Sequence, residues 1–207
     1  MDFKRRRLAI FAASAAILSW PLFMLLRPAP DTTPEGAYMR IASAIAGGDT
    51  HDAFAYLEEE AQHAAISIGE YAKRATRAIR EGYPADEQSR ALQPYAELAE
   101  RSDGPQVWAT LARRRGWVTR LRRDLSGVVQ VEVAGERASI TTARGTRYPF
   151  RRRPNGIWGL TLFTAELGEE AKRLARHTAA MESHATDFQR ASGAGSGAPT
   201  AAPPTGP

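Results

Sequence analysis

Arginine is the residue type whose numbers and spacing offer this chain its most distinctive chemistry. Three clusters, Arg113-Arg114-Arg115, Arg120 with Arg122-Arg123, and Arg151-Arg152-Arg153, lie close in sequence to Trp108, Trp117 and Tyr148. A guanidinium presents a planar fork of donors that meets a carboxylate or a phosphate bidentately, so such clusters suit anionic partners. The charge is unevenly divided. Residues 31–104 hold 14 acidic and 7 basic residues, a net of −7, whereas residues 105–160 hold 12 arginines and 3 acidic residues, a net of +9. Two readings follow. The arginines form a docking surface for anionic lipid headgroups or an acidic protein, or they pair with the acidic helices and lay their aliphatic stems over apolar surface. Charge alone also admits nucleic acid, which the topology read below disfavours.

The remaining reactive side chains are few. His51 and His63 stand twelve residues apart on polar faces of helical segments. His177 and His184 are seven apart on one helix, which separates them by two turns, roughly 10 Å, too far for one ion to bridge unaided. No metal site and no cofactor is expected. Cysteine is absent, which excludes disulfides, thiolate metal sites and a lipid-attachment cysteine. No HExxH, Walker or GxSxG pattern occurs. Gly47-Gly48 lacks the further glycines and the preceding strand of a phosphate loop and reads as a turn. The run Glu58-Glu59-Glu60 reads as a solvated face.

Something must hold these side chains in place, and the first element to do so is at the N-terminus. Residues 1–7 form a basic tail ending in Lys-Arg-Arg-Arg, and residues 8–26 carry no charge. As a helix those 19 residues extend roughly 28 Å, close to the hydrocarbon thickness of a bilayer. A cleaved signal peptide is the competing reading, but its apolar region is normally shorter. Cleavage after Ala29 would also place Arg27 at −3 and Pro30 at +1. Basic residues concentrate before the span, so the N-terminus is expected in the cytoplasm and everything beyond residue 30 outside it. The Ala- and Arg-rich composition, with Lys73 and Lys172 the only lysines after residue 4, has the character of a GC-rich bacterial gene. The expectation is therefore a single-pass protein of the bacterial inner membrane with a periplasmic domain.

Residues 27–33 read as a linker, residues 34–190 as the exported domain, and residues 191–207 as a Gly/Ala/Pro-rich tail that cannot bury enough surface to order. Thr33-Pro34 opens a helix that Gly47-Gly48 ends. Asp49 caps a second helix with Ala53, Phe54, Leu57 and Ala61 on its apolar stripe. Helical periodicity continues from Ile66 to Arg80 and from Asp86 to Glu100, the latter interrupted by Pro94. Asp103-Gly104-Pro105 opens an Arg-rich helix reaching Leu121, with a joint at Gly116. After Gly127 the period changes from 3.6 to 2. Val129, Val131 and Val133 form one apolar face, followed by Ala138, Ile140 and Thr142, then Tyr148 and Phe150. An Asn155-Gly156 hairpin turn leads to Trp158, Leu160 and Leu162. A last helix runs from Glu166 to Arg190, with Leu167, Leu174, Met181 and Phe188 spaced by seven. The fold class is α+β, helices packed on a four-stranded antiparallel meander with a C-terminal helix.

The meander of form VxVxVxGxRAxIxTxxG…YxFxxxxNGxWxLxL, preceded by a helix with Ile41 and Ile45 and a second with Phe54 and Leu57, resembles the NTF2-like superfamily. The likeness is to its membrane-anchored bacterial members and covers roughly residues 34–163. The inserted helices of residues 66–123 and the long final helix depart from that pattern. The resemblance implies a cone whose cavity hosts an enzyme, a binding site or nothing, so fold says little of function. Enzymes of this kind imply acid–base chemistry inside the cone. Here that leaves Glu132 as a base and Tyr148 as a donor, provided the face opposite the valines lines the cavity. The preferred expectation is a non-catalytic, membrane-anchored, exported interaction or accessory domain. The alternative is a small-molecule-binding or acid–base enzyme using an NTF2-like cavity.

Overall fold

The computed structural model describes residues 29–195. The basic tail, the apolar segment 8–26 and all but the first few residues of the C-terminal tail lie outside them. Eight helices and four strands follow one another in the order α1 Pro34–Gly47, α2 Thr50–Phe54, α3 Glu59–Gly82, α4 Ala85–Leu92, α5 Ala96–Ala99, α6 Gly104–Arg114, α7 Trp117–Asp124, β1 Val128–Ala134, β2 Arg137–Thr142, β3 Arg147–Arg152, β4 Trp158–Leu160 and α8 Thr164–Gly195. The architecture is α+β, with helices on a four-stranded antiparallel sheet of order β1-β2-β3-β4 and a long C-terminal helix. Among these residues no helix is long and apolar enough to cross a membrane.

Local chemistry sets several boundaries. Thr33 caps α1 by accepting from the Gly36 N–H at 3.1 Å, and Gly48 ends it in the left-handed region at φ 83°. Asp103 caps α6 by accepting from the Gln106 N–H at 2.9 Å, ahead of Pro105. Gly116, at φ 68°, is the joint between α6 and α7, a conformation that glycine adopts without a Cβ penalty.

The second helix departs from its expected form. The chain leaves the helix after Phe54, and Leu57 makes a parallel bridge to Leu160. The Leu160 N–H donates to the Tyr56 carbonyl at 2.8 Å, and the Glu58 N–H donates to the Leu160 carbonyl at 3.0 Å. Helix resumes at Glu59 and runs unbroken to Gly82, joining what periodicity divides into two segments.

Helix α3 buries an alanine-rich stripe, Ala61, Ala65, Ile68, Ala72, Ala75 and Ile79. Against it lies α8, whose Leu167, Leu174 and Ala185 are buried. The two run parallel, since their contacts climb in step. Thr178 donates to the Tyr71 carbonyl at 3.0 Å, Arg74 pairs with Glu182, and Gln189 donates to the Glu81 carbonyl. Gly82 allows the closest approach, because a Cβ there would meet Ala185 Cβ at 2.5 Å. Between α6, α7 and the start of α8, Trp108, Trp117 and Phe163 pack with ring centroids 4.7 to 5.4 Å apart.

The sheet lays one face against α1. Ala138, Ile140, Thr142, Tyr148, Phe150, Trp158 and Leu160 are buried, as alternation predicts. The β1 valines differ. Val129 is 64% exposed and Val133 57%, while Val131 is half-buried. Two causes combine: β1 is an edge strand, and the register shifts between Val128 and Gln130, leaving Val129 as the extra residue of a bulge.

Candidate functional site

The arginines are the natural starting point, and the structure sends their heads to several different places. Arg113 and Arg114 both reach Glu97 on α5, the first at 3.3 Å, and Arg101 joins the same carboxylate at 3.4 Å. The Arg114 hydrogen bond, with Arg101 and Arg113 assisting, holds the Glu97 carboxyl below the usual carboxylate value. Arg115 pairs with Glu170 of α8 and lies 5.4 Å from the Trp117 ring centroid. Arg120 stands 5.8 Å over the Phe163 ring. Arg122 donates through Nε to the Ile45 carbonyl at 3.1 Å, in the last turn of α1. Arg123 turns to its neighbour Asp124 at 2.8 Å.

The third cluster divides in the same manner. Arg151 Nη1 donates to Glu58 Oε1 at 2.8 Å and approaches Glu60 at 3.5 Å. Arg153 Nη2 donates to the Ala55 carbonyl at 2.8 Å, and burial pushes its guanidinium below the ordinary arginine value. Arg152 is exposed and makes no ion pair or side-chain hydrogen bond among the described residues. Eight of the nine arginines thus hold the domain's own carboxylates, carbonyls or rings. Their partners are distributed over α1, α5, α8, the α2–α3 turn and the Trp117 and Phe163 rings.

Two carboxylates that hold them are buried, and the sequence reading missed both. Glu58, expected in solvent with Glu59 and Glu60, is only 5% exposed. Its second oxygen accepts from Thr164 Oγ1 at 2.7 Å. The bridge to β4 turns Glu58 inward while Glu59 and Glu60 remain exposed. Gly159 is the one sequence signal for this: a Cβ there would come within 2.7 Å of Glu58 Cα, so the two backbones approach only because residue 159 is glycine. Glu170, buried on α8, is held by Arg115 and Arg173. Buried carboxylates engaged by arginines and a hydroxyl have their lone pairs occupied, the arrangement of structural ion pairs.

The acid–base pair raised by the family resemblance does not meet. Glu132 is opposite Ser139 on the solvent face of the sheet, where Arg147 Nη2 donates to its carboxylate at 2.6 Å. Tyr148 points to the other face and is buried against Tyr38, with ring centroids 5.6 Å apart. Burial, with Tyr38 beside it, pushes the Tyr148 hydroxyl up to about 12. That face is filled: Tyr38, Ile41 and Ile45 of α1 are buried in one cluster with Ile140, Tyr148 and Phe150. The Tyr38 hydroxyl donates to the Ser126 carbonyl at 2.6 Å and accepts from the Ser126 N–H at 3.0 Å.

Among the described residues, several clefts open to the surface, one of about 350 Å³ reaching Glu58, Ala138 and Phe150. One of about 400 Å³ between α3 and α5 is lined by Lys73, Arg77 and Arg80 together with Glu81 and Glu100. An apolar groove of about 300 Å³ runs between α1 and the α7–β1 connection, lined by Met39, Ala42, Ile45 and Leu125. Among the described residues, Asp49, His51 and Asp52 bring one ligand atom each within 4.8 Å of one another. All three are exposed, and Asp49 is occupied in capping α2 through the Asp52 N–H. Comparison with protein-family models, with curated proteins and with solved structures finds no match to this chain.

Proposed function

We propose that this is a non-catalytic interaction or accessory domain, exported and held at the bacterial inner membrane by the apolar segment 8–26. The observation that carries the non-catalytic reading is the filled inner face of the sheet. Tyr38, Ile41 and Ile45 occupy the space beside Ile140, Tyr148 and Phe150 where a cone of NTF2-like type would hold a ligand. An acid–base site needs a titrating group free to meet substrate; Glu58 borders a cleft of about 350 Å³, but its oxygens are engaged by Arg151 and Thr164, and those of Glu170 by Arg115 and Arg173. Such a domain works through its surface.

What remains for an acidic protein or anionic headgroups is narrower than the sequence count of arginines. Arg152 extends freely from β3, and Arg113 and Arg123 keep their side chains mostly exposed while paired. Near an anionic bilayer each exposed cation adds about 1 kcal/mol of attraction, screened by salt. The anchored topology is supported by the uncharged 19-residue stretch behind a Lys-Arg-Arg-Arg tail. A reporter active only outside the cytoplasm, fused after Pro207, tests it. The expected result is reporter activity with the intact chain in the membrane fraction. A soluble, processed product beginning near Asp31 would overturn the anchor.

A further inference from the structure

The sheet has two edges, and among the described residues only one is covered. Beyond β4 the chain at Tyr56–Glu58 supplies the backbone partners of Leu160. Beyond β1 no strand or helix of the described residues pairs with the backbone. An open edge presents a row of unpaired N–H and C=O groups, which proteins ordinarily guard with lysine, proline or an inward-pointing charge. Strand β1 reads Val-Val-Gln-Val-Glu-Val-Ala and has none of these. Its protections are the bulge at Val129 and the single charge of Glu132, which Arg147 of the same sheet already pairs.

The strand is a near-palindrome about Val131. Reversed upon itself, it sets Gln130 against Glu132, Val129 against Val133 and Val128 against Ala134. Hydrogen-bond direction agrees with that centre. The β1–β2 hairpin closes through the two residues Gly135 and Glu136, with Ala134 opposite Arg137. In an antiparallel ladder the hydrogen-bonded pairs then fall at Ala134, Glu132 and Gln130, so the N–H and C=O of Val131 and Val133 point outward. The side chains on the solvent face agree as well. A two-fold at Val131 brings each Glu132 opposite the partner copy's amide at Gln130 rather than opposite another carboxylate.

We propose that β1 is a homodimer interface, pairing antiparallel with β1 of a second copy about a two-fold axis at Val131, so that the two sheets become one of eight strands. The exposed Val129 and Val133 become neighbours across that seam. Because the β4 edges are covered, the assembly closes at two copies and does not propagate. This inference is independent of the proposed function and holds whether the chain is in a membrane or in solution.

The chain contains no cysteine, so single cysteines placed in the full-length protein report the register directly. Cα atoms of an antiparallel hydrogen-bonded pair are about 5.5 Å apart, within disulfide reach. Under mild oxidation Val131→Cys is expected to give a covalent homodimer. Glu132→Cys alone, more exposed than position 131 but out of register with itself, is expected to give little. Co-expressed Gln130→Cys and Glu132→Cys copies should cross-link to each other. Val131→Pro removes an outward N–H together with part of the packing that Val131 makes on the core; it should reduce the sedimenting mass from two chains to one while the far-ultraviolet circular dichroism stays that of the folded domain. The proposal is overturned by no dimer from Val131→Cys, by equal yields from Val131→Cys and Glu132→Cys, by cross-linking to a protein of different mass, or by a Val131→Pro protein that remains dimeric.

Discussion

A buried carboxylate is expensive unless its oxygens are occupied, and Glu58 meets that cost through Arg151 and Thr164. Arg151→Gln therefore leaves a buried acceptor short of its charged partner and is expected to destabilise the domain by roughly 1–3 kcal/mol. The half-exposed position of Arg151 argues for the lower part of that range. Arg152→Gln, one residue along the same triplet, breaks nothing inside the domain and is expected to stay within about 0.5 kcal/mol of the parent. Chemical denaturation of the two variants side by side separates structural from outward-facing arginine. Equal losses would contradict the division drawn here. The Glu97 cluster adds a pH dependence. Its carboxyl lies below the ordinary value of 4.5 because Arg114 donates to it, with Arg101 and Arg113 nearby. A depressed carboxylate contributes stability that is full above its unfolded value and lost as pH falls through the lowered folded value. Glu97→Gln should consequently flatten the melting-temperature profile below about pH 4.5 and leave its shape at neutral pH unchanged. An unaltered acid limb would show that Glu97 contributes nothing there.

Among the elements, β4 shows how much one residue can decide. Its three residues are all buried, Trp158 and Leu160 by the core and Gly159 by the backbone at Glu58. Gly159→Ala drives a methyl to within 2.7 Å of Glu58 Cα and 2.9 Å of the Leu57 carbonyl oxygen. Backbone cannot yield as a flexible side chain does, so a loss of about 2 kcal/mol or more is expected by differential scanning calorimetry. A neutral Gly159→Ala would mean that the Leu57–Leu160 bridge is not formed. That bridge also marks where the sequence stopped being legible. The caps at Thr33 and Asp49, the helix opening at Asp103-Gly104-Pro105, the joint at Gly116 and the inward faces of β2 and β3 follow from local chemistry, and the structure has them as expected. The break between α2 and α3 does not, because it is imposed by a strand a hundred residues away while Leu57 and Ala61 keep helical spacing. Glu58 was hidden for the same reason, its neighbours in sequence being solvent-exposed glutamates. The outward valines of β1 were misread because alternation reports two faces but not which strand is at the edge. The seven-residue spacing of Leu167, Leu174, Met181 and Phe188 marks an apolar side of α8 in the sequence, but the contacts that set it parallel to α3 are made by Thr178, Glu182, Ala185 and Gln189, which that spacing does not include.

At the scale of the whole molecule, the charge asymmetry that invites a docking surface is largely consumed within the fold. The basic second half binds the acidic first half through Glu97 and Glu58, and the arginines that join them span α5, α6, β3 and the α2–α3 turn. The membrane-anchored topology rests on residues outside those described, and the fusion after Pro207 addresses it. The face of the sheet toward α1 is closed packing, and the proposed surface role depends on that. Tyr38 is the residue that closes it, wedged against Tyr148 and bonded both ways to the Ser126 backbone. Tyr38→Ala should remove about 3–5 kcal/mol and leave an aromatic-sized cavity. An apolar cavity of that kind takes up a small ring, and p-cresol is the tyrosine side chain itself. The decisive measurement is the melting temperature of the full-length protein and of Tyr38→Ala with and without millimolar p-cresol and a panel of small apolar and anionic compounds. With a packed face, p-cresol should partially recover the mutant, and no compound should shift the wild type by more than about one degree. A compound that raises the wild-type melting temperature by several degrees, and loses that effect in Tyr38→Ala, would contradict the closed packing by revealing a ligand site beside Tyr38.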